Sequence, residues 1–170
     1  MNQKQNIVLI GMPGSGKSTV GIILAKRLSY GFIDTDILIQ TSERRSLQTI
    51  VDNDGYMVLR NIEERVILDI NCSTQVIATG GSAVYSQQAM SHLKELGDII
   101  FLDVKMSVLI NRIKDMATRG LARRPDQSFD DLFAERSALY GKYAEITIHC
   151  STMGVDEICD KVVETLALKI

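Results

Sequence analysis

Short apolar runs alternate along this chain with longer stretches in which apolar positions recur at the three-to-four-residue spacing of an amphipathic helix. The runs predict strands at 6–10, 31–34, 75–78, 98–104 and 146–150, and the periodic stretches predict helices at 17–28, 46–53, 61–71, 86–96, 105–116, 128–143 and 155–168. Strands separated by helices read as an α/β fold, a five-stranded parallel sheet flanked by helices. Ligands of such sheets bind beyond the carboxyl ends of the strands, which directs attention to the residues after Ile10, Ile33, Ala78 and Val104. No internal repeat or linker-like tract divides the chain, so residues 1–170 are expected to form a single domain. The least periodic segment, 117–127, carries Arg119, Gly120, Arg123, Arg124 and Pro125 and is expected to be a mobile lid.

The first strand runs directly into Gly11-Met12-Pro13-Gly14-Ser15-Gly16-Lys17-Ser18-Thr19, which satisfies the phosphate-loop pattern G-x-x-x-x-G-K-[ST]. Glycines let the backbone curl so that successive N–H groups converge, and the helix that follows presents its positive end to the same anion. Lys17 is expected to reach the β- and γ-phosphates of a nucleoside triphosphate, and Ser18 to hold Mg²⁺ through its hydroxyl.

Composition narrows the partners. A formal net charge of −2 gives no reason to expect nucleic acid or an acidic membrane. The polar start and the lack of a long apolar run predict a cytoplasmic protein with no membrane partner, and a monomer is expected. Cys72, Cys150 and Cys159 show neither zinc-site nor disulfide spacing, and His92 and His149 are isolated, so all five read as ordinary structural residues.

Chemistry is suggested at four further places. Asp34-Thr35-Asp36 ends the second strand, where one carboxylate can serve magnesium and the other an acceptor hydroxyl; the same residues also suit a helix N-cap followed by a first-turn acid. Arg60 and Glu63, three positions apart, can pair on one helix face and hold the guanidinium for bidentate capture of a carboxylate. Thr79-Gly80-Gly81-Ser82 follows the third strand, and its paired glycines suit either close backbone approach to a ligand or a tight turn. Arg112, Arg119, Arg123, Arg124 and Arg136 make the densest basic region, suited to a transferring phosphoryl group.

Taken in order, these motifs resemble the shikimate kinase family, from the phosphate loop to about Ala144: Asp34-Thr35-Asp36, Arg60 with Ile62-Glu63-Glu64, Ala78-Thr79-Gly80-Gly81, a lid arginine, and Arg136 followed by Leu139-Tyr140. The resemblance implies a P-loop kinase fold with a mobile lid and transfer of the ATP γ-phosphate to the 3-hydroxyl of shikimate. By position it implies that Gly14, Ser15, Gly16, Lys17, Ser18 and Thr19 bind the nucleotide with Arg112 near the adenine, and that Ser18 and Asp34 serve Mg²⁺. It further implies that Asp36 is the base, that Arg60, Arg136, Gly80 and Gly81 bind the acceptor, and that Arg119 is the lid cation. Ser82 stands where the family has a third glycine, Leu59 where an aromatic is usual, and Arg119-Gly120-Leu121 where Arg-Pro-Leu is usual, so Arg123 and Arg124 are alternative lid cations. Another small hydroxy acid or homoserine satisfies the same carboxylate clamp, while intact Lys17, Ser18, Asp34 and Asp36 speak against a non-catalytic nucleotide-binding module.

Overall fold

Chain order follows the apolar pattern closely in the computed structural model, which describes residues 6–112 and 120–168. Strand β1 (Asn6–Ile10) leads through helix α1 (Lys17–Leu28) to β2 (Gly31–Asp34) and three successive helices, α2 (Thr35–Glu43), α3 (Leu47–Asp54) and α4 (Tyr56–Leu68). Then come β3 (Gln75–Ala78), a 3-10 turn (Ala83–Tyr85), α5 (Gln87–Leu96), β4 (Gly97–Asp103) and α6 (Met106–Arg112). Helix α7 (Phe129–Tyr143), β5 (Ile146–His149) and α8 (Val155–Ala167) complete the described chain. Arg119 and the end of the helix expected over 105–116 lie outside the described residues.

The strands form one sheet in the order β2-β3-β1-β4-β5, parallel throughout. Central β1 pairs Val8 with Ile77 of β3 on one side and with Ile99 of β4 on the other. Every β1 residue is buried, as a strand covered on both faces requires. Asn6, the one polar residue of β1, is satisfied by donating to the carbonyls of Cys72 and Leu96 and accepting from the Gln75 N–H. A second, smaller core gathers Ile39, Ile50, Leu59, Ile62 and Ala122 among α2, α3, α4 and the 120–127 segment. Among the described residues no helix is long and apolar enough to cross a membrane.

Two elements differ from the sequence expectation. Helix α2 follows β2 without a break, and its Ile37 and Leu38 face solvent while only Thr35 and Ile39 are buried, so it carries no apolar stripe to read. Helix α4 begins at Tyr56, five residues before the predicted start at Asn61, because Gly55 (φ +91°) ends α3 and α4 starts immediately after it. His92 Nε2 meets the Ile70 carbonyl at 2.7 Å, and the three cysteines are free thiols.

Candidate active site

Because β1 is locked between β3 and β4, the loop that leaves it at Gly11 starts from a fixed point. The loop reaches α1 through Gly16, whose φ of +98° puts it in the left-handed region where a side chain is strained. Among the described residues no side chain caps the first turn of α1, so its N–H groups are left for an anion. Lys17, buried beneath the loop, donates from Nζ to the carbonyls of Gly11 (2.7 Å) and Met12 (2.9 Å). Burial pushes its ammonium down to about 8, with the charges of Asp36 and Asp34 opposing the shift.

Asp34 is the helix N-cap and also faces Ser18. Its Oδ1 caps α2 by accepting from the N–H groups of Asp36 (3.0 Å) and Ile37 (3.3 Å), and its Oδ2 accepts from Ser18 Oγ at 2.6 Å. The cap fixes the carboxylate, and the first turn of α2 then carries Asp36 into the cleft. Burial pushes the Asp36 carboxyl up to about 6, against the attraction of Lys17 and Arg136.

Gly80 lies against two carboxyl groups. Its N–H donates to Thr35 Oγ1 at 2.9 Å, and a Cβ there would meet Glu63 Oε1 and lie 2.6 Å from Asp36 Oδ1. At Gly81 a Cβ would lie 2.8 Å from Arg136 Nη1 and 2.8 Å from the Pro13 ring, so this backbone threads between the phosphate loop and Arg136. Tyr140 Oη donates to the Gly81 carbonyl at 2.6 Å and anchors the thread from α7.

The expected Arg60–Glu63 pair does not form. Glu63 turns inward from α4 and accepts from Ser82 Oγ, while Arg60 Nη2 donates to the Ala122 carbonyl at 3.0 Å. The two positions are three apart on the helix, but Glu63 lies on the buried face and Arg60 is only half-buried. Burial pushes the Glu63 carboxyl up to about 7, with Asp36 adding to the shift and Ser82, Arg136 and Lys17 opposing it. Ser82 lines the cleft and donates its hydroxyl proton to Glu63.

Arg136, 1% exposed, donates from Nη2 to the same Ala122 carbonyl at 2.9 Å. The two guanidinium groups thus stand side by side, and the Nε of each is buried without a partner. The 120–127 segment that supplies the carbonyl is itself held: the Gly120 N–H donates to Gln48 Oε1 at 2.7 Å, and Gln127 Nε2 donates to Glu135 at 2.9 Å.

One cleft of about 560 Å³ is lined by the residues from Gly14 to Thr19 and by Asp36, Glu63, Gly80, Gly81, Ser82 and Arg136. Arg60 reaches it only through the Ala122 carbonyl. Arg112 of α6 lines the cleft with Met153, Val155 and Ile158, an apolar wall that sequence reasoning missed because it is built by a turn and a helix end after the last strand. Arg123 and Arg124 line a separate recess of about 260 Å³ and are engaged with the Gln127 carbonyl and Glu135. Neither of these alternative lid cations stands in the main cleft.

A family model described as shikimate kinase matches residues 13–167. A shikimate kinase of Rippkaea orientalis is 44% identical over 84% of this chain and 77% of its own length, and one of Sulfurihydrogenibium sp. is 34% identical over 93% and 95%. Among solved structures, shikimate kinase from Acinetobacter baumannii in complex with shikimate superposes with a TM-score of 0.90 at 27% identity, covering 97% of this chain and 94% of that one. Shikimate kinase from Aquifex aeolicus gives a TM-score of 0.82 at 32% identity, over 95% and 96%. With the phosphate loop, the paired glycines and Arg136 meeting in one cleft, the chain belongs to the shikimate kinase family of phosphotransferases.

Proposed function

We propose that this protein transfers the γ-phosphoryl group of ATP to the 3-hydroxyl of shikimate in the cytoplasm, with Mg²⁺ as its cofactor. One observation carries the reading of the acceptor: two guanidinium groups, Arg60 and Arg136, converge on the Ala122 carbonyl with both Nε atoms unpartnered, and Arg136 stands against Gly81. A planar carboxylate is the ligand such a pair of forks binds best. Asp36 lies on the phosphate-loop side of that clamp, within reach of a hydroxyl on the same small molecule.

Ser18 Oγ and Asp34 Oδ2 form a hard-oxygen pair at the rim of the phosphate cradle, and this donor chemistry fits Mg²⁺, which binds few protein ligands beside phosphates. When bound, the ion supplies positive charge to the phosphate oxygens. The loop N–H groups and Lys17 hold the β- and γ-phosphates, for which Lys17 exchanges its two carbonyl partners. Asp36 accepts the proton of the acceptor hydroxyl as its oxygen bonds to the γ-phosphorus. The bond to the bridging oxygen breaks, and Lys17 steadies the charge that passes to ADP. The apolar wall of Met153, Val155 and Ile158, with Arg112 beside it, suits a purine face.

The experiment is ADP release with Mg·ATP, comparing shikimate with quinate, gluconate, homoserine and no acceptor. Saturable turnover of shikimate at ordinary enzyme rates is the expected result. Turnover of another hydroxy acid in its place overturns the acceptor assignment and keeps the chemistry.

A further inference from the structure

Two like-charged guanidinium groups share one carbonyl, and among the described residues neither has a carboxylate ion-pair partner. Glu63, three positions from Arg60, accepts from Ser82, and Glu135, next to Arg136 in sequence, accepts from Gln127 and Arg124. An aromatic ring stands in that place. The guanidinium carbon of Arg60 lies 3.6 Å above the centre of the Tyr85 ring, and that of Arg136 lies 5.4 Å from the same centre. Tyr56, one helical turn before Arg60 on α4, faces the guanidinium at 5.1 Å.

An aromatic face attracts a cation without neutralising it, and a guanidinium stacked flat on a ring presents its N–H edge outward. A carboxylate partner at the same place would hold Arg60 equally well but would compete with the carboxylate of an incoming acceptor. Tyr85 is well sited for this task, because the 3-10 turn that carries it follows Gly80-Gly81-Ser82 directly and packs against both α4 and α7. Those two helices carry Arg60 and Arg136.

We infer that Tyr85 is a positioning residue of the acceptor site, a neutral π platform that orients Arg60, and steadies Arg136 beside it, for the substrate carboxylate. This rests on the reading of the two arginines as a carboxylate clamp. Its consequence is selective: loss of the ring weakens recognition of the carboxylate and leaves the phosphate cradle and the transfer step alone.

The test compares the wild-type chain with Tyr85→Phe and Tyr85→Leu, using shikimate and the alcohol in which its carboxylate is reduced to a hydroxymethyl group. The alcohol is followed as a substrate, or as a competitive inhibitor if it does not turn over. Tyr85→Leu is expected to raise the KM for shikimate by about tenfold, with kcat and the KM for ATP within about threefold. Tyr85→Phe, which keeps the ring face, is expected to stay within about threefold of wild type for every constant. The reduced alcohol is expected to bind Tyr85→Leu and wild type alike. Equal behaviour of Tyr85→Leu and wild type toward shikimate, equal losses for both acceptors, or a Phe variant as impaired as the Leu variant overturns the role. Should Tyr85→Leu not fold, Tyr85→Met, unbranched and without a ring, replaces it under the same criteria. Failure of the wild-type chain to phosphorylate shikimate is a separate result, which overturns the proposed reaction and the clamp with it.

Discussion

The phosphate half and the acceptor half of the cleft rest on different foundations. The phosphate loop springs from β1, wholly buried at the centre of the sheet, and what it offers an anion is mostly backbone N–H groups whose directions the fold dictates. The half proposed to take the acceptor draws side chains from α2, α4, α7 and the 3-10 turn, and α2 and α4 rest with α3 on a small core of Ile39, Ile50, Leu59, Ile62 and Ala122 among the described residues. A backbone cradle binds any suitable polyphosphate, whereas a side-chain clamp selects one acceptor. On the proposed function, the difference places general chemistry at the central sheet and selectivity on the helices around it.

Substitutions can separate the halves. Asp36→Asn is expected to lower kcat by about a thousandfold while calorimetric titration finds ATP affinity within a few-fold of wild type. Unchanged kcat would remove Asp36 from the mechanism. Ile50→Ala, fully buried in the small core, is expected to cost about 3 kcal/mol in denaturant unfolding and to weaken the acceptor more than ATP. Gly80→Ala drives a methyl group against Glu63 and Asp36 and is expected to lower kcat/KM for the acceptor roughly a hundredfold, with ATP affinity retained.

A smaller effect concerns pH and the buried Glu63, which faces Asp36, Lys17, Arg136 and Ser82. Its folded pKa of about 7 lies above the unfolded value of 4.5, so the folded state holds the proton more tightly. That contribution to stability is complete below pH 4.5 and is lost as pH rises through about 7. Glu63→Gln removes the dependence: thermal unfolding without ligands should find the variant close to wild type at pH 4 and more stable at pH 8, by on the order of 2 kcal/mol. Parallel stability curves for the two proteins would contradict the burial of an ionisable Glu63.

The same division explains what the chain discloses before folding. The inner strands β1, β3 and β4 are legible because a parallel sheet covered on both faces demands short continuous apolar runs, and the phosphate loop is legible because its glycines and lysine are contiguous. Helix α2 escapes because two of its apolar residues, Ile37 and Leu38, face solvent. The rewiring at the clamp escapes for another reason. Arg60 and Glu63 are neighbours in sequence, yet their partners, Ala122 and Ser82, lie far along the chain on other elements. Local spacing sees the i,i+3 pair and cannot see a long-range competitor for either member. Tyr85 gives no motif signal, since only the packing of the 3-10 turn between α4 and α7 brings its ring beneath Arg60.

The division of labour between cradle and clamp is tested most directly by Arg60→Lys, measured in steady state with shikimate and Mg·ATP varied in turn. An ammonium keeps the charge but neither stacks flat nor offers a fork to a carboxylate. The account predicts a shikimate KM raised by about tenfold with the ATP KM within about threefold of wild type. Equal losses for the two substrates, or none for shikimate, would contradict it.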